Sequence, residues 1–409
     1  MDSSWTGGQY SVYRALLGTF LIVHFAMLLP YGAEVFGAGG TVSSAALSPY
    51  IGVFPNPLAW LDGAGWISAL LIAGVASGAL LALGWFDRTA GVLAALVLAW
   101  LYQRNPLIAN PSLPLLGWLL ILHAFTPPRP YGSLAAMRGG ADLDWRLPRH
   151  LHVAAWIVLA AAYSYSGYTK LLSPSWVDGE TIRLVLENPL ARDHALRELV
   201  LALPPIALQL LTWAVLWVEV LFAPLVLVRR FRPIMWTLML LAQLGFLCFL
   251  NFADLTFPML LVHLLTFDPQ WLQRRSPQSR GLLLFDGDCA FCHATVRFAI
   301  SEDHAGRLSF APLSGPLAKS LLAQQPLTTA DDTIVFIHSG GRDVKARAVA
   351  GVLMHAGGIW SLLGKLLRLI PARVANAAYD YVGRIRYKLG GRRTNACALL
   401  PAGRLVTQW

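Results

Sequence analysis

The chain has 409 residues, of which 56% are apolar and only 13% are charged. A soluble domain usually carries about 25% charged residues, so this composition excludes an ordinary water-soluble protein and indicates that much of the chain lies in lipid. The formal net charge is +10. Because no basic face is interleaved with aromatic residues, we expect contact with a lipid bilayer and no nucleic-acid partner.

Apolar segments dominate the chain up to residue 268 and predict a polytopic α-helical membrane domain of about eight helices, since roughly 20 apolar residues cross a bilayer. The first segment follows no basic region or cleavage site, so we expect a retained helix there and not a signal peptide. The third, fourth and eighth segments are short for full spans. The segments are Tyr10–Leu29, Gly65–Trp85, Thr89–Leu101, Leu113–Phe125, Leu151–Leu172, Pro205–Val228, Ile234–Leu250 and Phe252–Phe267.

Basic residues in the loops predict the orientation of this domain, because cytoplasmic loops collect lysine and arginine. With a cytoplasmic N-terminus, one side holds arginines between 129 and 149, between 229 and 232 and between 274 and 280. The loop of residues 31–63 on the other side has no lysine or arginine. We therefore expect a protein of the bacterial inner membrane whose N-terminus and C-terminal domain are cytoplasmic.

One predicted helix ends with a lysine in the segment from Tyr163 to Leu171, and Trp176-Val177-Asp178-Gly179 follows. This Tyr-x-x-x-Gly-x-x-Lys-Leu segment with Trp-x-x-Gly resembles the HTTM family, which includes vitamin-K-dependent gamma-glutamyl carboxylase, over residues 8–268. The resemblance implies that Lys170 acts on a reduced membrane quinone; no tightly bound cofactor is expected. Loss of hydration near hydrocarbon would let Lys170 serve as a base. The alternative is a lysine that reaches the interface beside Trp176.

The sequence departs from the carboxylase in two ways. Where the carboxylase has an Asn-Asn-His element, this chain has Leu107-Ile108-Ala109-Asn110-Pro111, and no large peptide-binding domain follows the helices. Glutamate carboxylation is therefore not expected, while quinone or lipid binding stays open. Glu219 is a second polar candidate, because a charge in lipid usually faces a cavity or a partner. Its structural alternative is an ion pair with an arginine of another helix.

After a basic linker at residues 269–280, short alternating elements predict an α/β domain over 281–400. The order βαβαββα, with an extra helix, is that of a thioredoxin-like domain. A helix is expected from about Cys289. The other predicted elements are strands at Leu282–Phe285, Leu308–Pro312, Thr333–His338 and Asp343–Arg347, and helices at Gly315–Ala323, Val349–Ile370 and Ala372–Lys388.

The segment from Asp286 to Cys292 places two cysteines three residues apart where a strand passes into a helix. Such a pair can close a disulfide, and the helix N-terminus stabilises a thiolate on Cys289 while the charge of Asp288 opposes it. In a reducing cytoplasm a retained dithiol is more plausibly catalytic than structural. We therefore predict Cys289 as the attacking thiolate and Cys292 as the resolving thiol.

The Phe-Asp-Gly-Asp-Cys-x-x-Cys element resembles the DCC family of thiol-disulfide oxidoreductases. The match includes Phe310-Ala311-Pro312-Leu313 and a late group of Tyr379, Asp380, Arg386, Tyr387 and Cys397. The resemblance implies a thiol-disulfide oxidoreductase with a redox partner protein or a small thiol as its partner. Cys397 is expected to be a spare thiol, or else a resolving partner.

Other interpretations of the dithiol stay open. The two cysteines are half of a zinc site if His293, His304 or Cys397 complete it, or they are inert packing residues. A thioredoxin-type proline is expected before the third strand, yet Pro326 lies far ahead of Thr333. For the whole chain, the alternatives are a quinone-dependent carboxylase- or epoxidase-like enzyme using Lys170 and a non-enzymatic membrane scaffold or export partner.

Overall fold

The computed structural model describes residues 5–108, 110–273, 280–324, 333–390 and 404–406. This part of the chain is mostly helical and contains one four-stranded sheet. It forms two compact units. The first contains Tyr13–Thr126 and Pro148–Phe267; the second contains the N-terminal segment up to Val12, Pro127–Leu147 and the chain from Asp268 onward.

The helices that precede the sheet include at least one in each of the eight predicted apolar segments, and also shorter helices between these segments that were not predicted. In chain order they are α1 (Gly7–Leu28), α2 (Gly32–Phe36), α3 (Ala64–Leu83), α4 (Asp87–Arg104), α5 (Ser112–Ala124), α6 (Leu134–Gly139), α7 (Arg149–Leu171), α8 (Pro174–Val177), α9 (Thr181–Glu187), α10 (Ala195–Leu201), α11 (Pro205–Val220), α12 (Phe222–Leu227), α13 (Arg232–Phe249), α14 (Ala253–Thr266) and α15 (Gln270–Gln273).

Three helical spans are long and apolar enough to cross a membrane: Gly7–Phe36, which joins α1 and α2, then α3 and α13. A fourth results if α10 and α11, which meet at a bend of 102°, are counted as one span. Over the described residues, the predicted count of about eight is therefore not reached. The apolar helices α5 and α14 have only 13 and 14 residues, and α4 contains Asp87, Arg88 and Arg104.

The predicted helix Pro205–Val228 is broken into α11 and α12 at Leu221. The Ser164 hydroxyl of α7 accepts the Ala223 N–H at 2.9 Å, so the break is stabilised by a side chain of a neighbouring helix. The break also changes the expected position of Glu219, which lies in the last turn of α11 and not in the middle of a span.

The sheet of the second unit has the strand order β2-β1-β3-β4. Strand β1 is parallel to β2 and antiparallel to β3, and β4 is antiparallel to β3. The element order begins with the βαβαββα order expected from the sequence and continues with two further helices, where one was expected. The elements are β1 (Gly281–Phe285), α16 (Ala290–Glu302), β2 (Leu308–Pro312), α17 (Pro316–Gln324), β3 (Val335–His338), β4 (Gly341–Val344), α18 (Lys345–Ala356), α19 (Gly358–Leu369) and α20 (Ala372–Gly390).

Two predicted elements have different bounds in the structure. The strand predicted at Asp343–Arg347 stops at Val344, because Lys345 has a positive φ of 53° and begins α18. The single helix predicted at Val349–Ile370 is two helices. Gly357 and Gly358 have φ values of 84° and 54°, which are open to glycine and interrupt the helix.

Strand β1 is buried along its whole length, as expected for a continuous apolar run at the centre of a sheet. On one face Leu283 and Phe285 pack in a cluster that also contains Cys289 and Cys292. On the other face Leu282 and Leu284 pack with Ala311, Ala318 and Val335. The dithiol therefore belongs to the hydrophobic cluster on one face of β1.

The second unit includes the N-terminal segment up to Val12 and residues Pro127–Leu147. Both segments lie within the predicted membrane domain, residues 1–268. Trp5 and Trp145 are fully buried, and the Tyr10 ring stacks on Trp145 with 5.0 Å between centroids. Leu143 packs against the cluster that contains the dithiol. These apolar contacts explain why the N-terminal segment and residues 127–147 cluster with the sheet.

Glu302, the last residue of α16, is buried among hydrogen-bond donors. Its carboxylate accepts the Gly8 N–H at 2.8 Å, the Trp360 Nε1–H at 2.6 Å and the Thr6 hydroxyl. Burial raises the pKa of Glu302, although these donors act in the opposite direction. One carboxylate thus joins the helix that begins at the dithiol to the first turn of α1 and to α19.

Glu302→Ala is expected to lower the melting temperature of the full-length protein by several degrees. The Gly8 and Trp360 N–H groups would lose a buried acceptor, and each unsatisfied group costs about 1–3 kcal/mol. Because the folded-state pKa is raised, the contribution of Glu302 is greatest below its unfolded pKa of about 4.3 and declines as pH rises through the folded pKa. Melting curves between acidic and neutral pH check both points; an unchanged melting temperature for Glu302→Ala would contradict them.

Candidate active site

The dithiol lies at the turn between β1 and α16. Cys289 is the N-cap residue of α16, and its Sγ accepts the Cys292 N–H at 3.3 Å. The Asp286 carboxylate accepts the Asp288 N–H at 3.0 Å, which fixes the turn before the helix. A backbone N–H and the positive end of a helix favour negative charge on the Cys289 sulfur. Both cysteines are free thiols and buried.

Cys292 differs from Cys289 in its surroundings. Burial is the main cause that raises the pKa of the Cys292 thiol, followed by its hydrogen bond to Cys289 and the charge on Cys289. Arg386 acts against this rise and Asp286 adds to it. The two thiols are therefore not equivalent: burial disfavours the thiolate of Cys292, while Cys289 Sγ accepts a backbone N–H at the start of α16.

A partly buried ion pair flanks the dithiol. Arg386 of α20 donates from Nη2 to Oδ2 of Asp286 at 3.2 Å, and the two side chains are 7% and 16% exposed. The sequence pattern marked Arg386 only as part of a family match and indicated no role for it. The feature of the sequence that could have pointed to Arg386 was its position in the late group, near Tyr379 and Asp380. Asp288, in contrast, is exposed, so water weakens the effect that its charge was expected to have.

Two other residues of the late group attach α20 to the residue before β3 and to the first residue of α18. The Tyr379 hydroxyl accepts the Ile334 N–H at 3.1 Å, and Asp380 pairs with Lys345 at 2.8 Å. Ile334 directly precedes β3 and packs against the dithiol cluster. It stands where a thioredoxin-type proline was expected; Pro326 lies outside the described residues. The Tyr387 side chain and Cys397 also lie outside them.

The group that could hold a metal ion consists of Asp286, Cys289 and Cys292, whose ligand atoms all lie within 4.8 Å of one another. Such a set would leave one position open on a tetrahedral ion. Among the described residues, neither His293 nor His304 joins it. His293 instead donates from Nε2 to the Gly287 carbonyl at 2.7 Å and packs edge-on against a phenylalanine of β1.

In the first unit the structure brings the other two predicted residues together. Both Glu219 oxygens lie 2.5 Å from Lys170 Nζ, and the ammonium group stands over the Trp176 ring at 4.4 Å. The side chains of Lys170 and Glu219 are 17% and 4% exposed. The partner of Glu219 is thus a lysine and not the expected arginine. A Cβ at Gly167 would lie 2.5 Å from the Val220 nitrogen, so this glycine permits the close approach of α7 and α11.

The C-terminal part of the chain, which contains the dithiol, is similar to known proteins. Residues 283–392 match the family model of DCC1-like thiol-disulfide oxidoreductases. The uncharacterized protein YuxK of Bacillus subtilis is 36% identical over 119 residues, which are 29% of this chain and 85% of YuxK. A chloroplastic DCC family protein of Arabidopsis thaliana is 26% identical over 121 residues, 29% of this chain and 70% of that protein.

No solved structure matches the chain. The family match lies wholly within the C-terminal part, so the HTTM resemblance of the preceding helices stays a prediction. The matched residues include both cysteines, the Ile334 position and Arg386. Through this C-terminal part, the chain belongs to the DCC1-like thiol-disulfide oxidoreductase family.

Proposed function

We propose that this protein is a membrane-bound thiol-disulfide oxidoreductase that reacts through Cys289 and Cys292. The observation that carries the proposal is the difference between the two thiols. Cys289 Sγ caps α16 and accepts an N–H, whereas burial and the neighbouring sulfur raise the pKa of Cys292. Family membership supports the same class of chemistry. The strand order and directions support a thioredoxin-like domain.

The proposed reaction is a two-step exchange. The Cys289 thiolate attacks one sulfur of a substrate disulfide, forms a mixed disulfide and expels the first substrate thiolate. Cys292 then loses its proton, attacks Cys289 Sγ and expels the second substrate thiolate. The protein dithiol becomes a disulfide, the substrate gains two electrons, and an external dithiol must reduce the protein again.

The burial of the dithiol limits which substrates can reach it. Cys289 is fully buried and Cys292 is 6% exposed. Attack on a disulfide therefore requires a local opening around the turn. A small disulfide needs less opening than a folded protein, so we propose small thiols and their disulfides as the first partners to test, with a redox partner protein as the second.

The proposed location is an integral position in a membrane, with the N-terminus and the dithiol domain in the cytoplasm of a bacterium. Three apolar helical spans support membrane association. The excess of arginine in the loops between 129 and 149 and between 229 and 232 supports the orientation.

We also propose that the first unit binds a membrane quinone or lipid loosely near Lys170. The support is the HTTM resemblance and a cation that keeps some exposure beside Trp176. Lys170 Nζ contacts both Glu219 oxygens, so this pair would have to separate before the amine could act as a base. For this reason we do not propose carboxylase-like chemistry as the main function.

Lys170→Met alone is expected to lower the melting temperature more than the double change Lys170→Met with Glu219→Gln. The single change leaves a buried carboxylate without its cation, which is more costly than removing both charges. Melting curves of the detergent-solubilised protein measure the difference, and solvent extraction of the same samples measures bound quinone. A single variant that melts like the unchanged protein would show that the ion pair has no structural weight.

The direct test of the proposed function is reduction of a small disulfide, or of insulin, by the reduced full-length protein. We expect one substrate disulfide to be consumed per protein dithiol in a single turnover, with a Cys289–Cys292 disulfide as the product. Substrate reduction without that product, or no reduction by a protein whose two thiols are titratable, would contradict the proposal.

A further inference from the structure

Helix α19 buries small residues on one side and exposes a stripe of large apolar residues on another. Ser361 and Gly364 are buried, and a Cβ at Gly364 would lie 2.7 Å from the Ala350 carbonyl of α18. The exposed side carries side chains that are between 44% and 79% exposed, at the i, i+1, i+4, i+7 and i+8 spacing of one helical stripe. They are Leu362, Leu363, Leu366, Leu369 and Ile370.

Helix α20 also exposes apolar side chains. Val374 and Tyr381 are each 61% exposed, and the alanines between them at 377 and 378 are also exposed. These positions again follow helical spacing. We call the outward residues of both helices the apolar face: Leu362, Leu363, Leu366, Leu369, Ile370, Val374 and Tyr381. Large apolar side chains that are exposed together along a helix are unusual on a soluble domain and mark an interaction site.

Basic side chains border the apolar face. From 358 to 390 the sequence has six basic residues, at 365, 368, 373, 384, 386 and 388, and one acidic residue, Asp380. Arg386 and Arg368 pair with acidic residues of other elements, and Asp380 pairs with Lys345. Arg373, Arg384 and Lys388 are exposed, and Lys365 is half-buried. The border of the face is therefore cationic.

We propose that the apolar face lies in the headgroup region of a bilayer that contains anionic lipid, in addition to the helices that span the membrane. A helix with a large apolar stripe and basic residues at its edges has the chemistry of an interfacial helix. Lysine and arginine near such a surface are attracted to anionic headgroups. The membrane-spanning helices would hold this face near lipid at a high effective concentration.

The charge of the border favours lipid over a second copy of the chain. Two copies meeting through this face would place the same cationic residues against each other, and like charges across an interface are unfavourable. Lipid binding through this face does not depend on dithiol chemistry. A protein without redox activity would still bind lipid in this way, so failure of either proposal leaves the other standing.

The test uses the full-length protein in nanodiscs of phosphatidylcholine, with or without phosphatidylglycerol. A genetically encoded fluorescent amino acid replaces Leu366, or Ser320 of α17 as an exposed control. Lipids with bromine-labelled acyl chains quench a fluorophore that reaches them. We expect quenching at position 366 to exceed quenching at position 320 several-fold, and to increase with phosphatidylglycerol.

A charge-reversed variant, Lys365→Glu with Arg373→Glu, is expected to lose most of the gain caused by phosphatidylglycerol while its melting temperature stays unchanged. Neither residue is a member of the dithiol cluster, so disulfide reduction provides a second check of folding. Equal, weak quenching at positions 366 and 320 in both lipid mixtures would overturn the proposal. Fluorophore burial that depends on protein concentration in detergent, without quenching in nanodiscs, would overturn it in favour of a second copy.

Discussion

Cys289→Ser is expected to abolish disulfide reduction by the full-length protein, whereas Cys292→Ser is expected to stop the reaction at a mixed disulfide. Serine at 289 removes the sulfur that caps α16 and is placed to carry negative charge. Serine at 292 leaves that sulfur able to attack but removes the thiol that would release the second substrate thiolate. Single-turnover reduction and intact-mass spectrometry of both variants measure the two outcomes.

Cys248→Ser is the matched control, because Cys248 is an exposed free cysteine of α13 in the first unit. It is expected to retain the full reaction. Reduction by Cys289→Ser would show that the attacking sulfur has been misassigned. A stable adduct on Cys289→Ser, together with none on Cys292→Ser, would reverse the two roles.

Arg386→Met and Asp286→Asn are expected to shift the pH dependence of mixed-disulfide resolution in opposite directions. Burial raises the pKa of Cys292 most, but the Arg386 charge lowers it and the Asp286 charge raises it. Removing the cation therefore moves resolution to higher pH, and removing the carboxylate charge moves it to lower pH. At a fixed pH below the pKa, a pKa change of about one changes the thiolate fraction, and hence the rate, about tenfold.

The measurement is the decay rate of the mixed disulfide after rapid mixing with a small disulfide, followed over a pH series. Arg384→Met is the matched control, since Arg384 is exposed on the same helix, two residues from Arg386. It is expected to leave the profile unchanged. Shifts of Arg386→Met and Asp286→Asn in the same direction would contradict an electrostatic role for the pair. An equal shift in Arg384→Met would also contradict this electrostatic role.

The predictable part of the dithiol site is the part that is local in the sequence. An apolar run, two aspartates and a C-x-x-C segment predict a strand that turns into a helix, and the structure has Gly281–Phe285 followed by Ala290–Glu302. The role of Arg386 was not predictable in the same way, because it lies 100 residues from Asp286. Which acid a distant arginine meets depends on how α20 packs, and one sequence does not encode that in a local pattern.

The first unit shows the same limit. Hydropathy located the helices and marked the third, fourth and eighth segments as short, and none of these three is among the helices long and apolar enough to cross a membrane. It did not predict where the Pro205–Val228 segment breaks. It also suggested an arginine as the partner of Glu219, whereas the close approach at Gly167 places Lys170 there. Buried pairs such as Glu302 with Gly8 join segments 294 residues apart, and side-chain chemistry alone does not identify them.

The most direct test of redox activity at the dithiol is a titration of the Cys289/Cys292 couple in the full-length protein across defined thiol–disulfide potentials. Alkylation and peptide mass spectrometry report the state of each cysteine, with and without added quinone. We expect one two-electron transition, with a Cys289–Cys292 disulfide, between about −270 and −120 mV, the range of thioredoxin-like oxidoreductases. Two thiols that stay reduced throughout, or that become reactive only when a chelator removes a bound metal, would contradict a redox role.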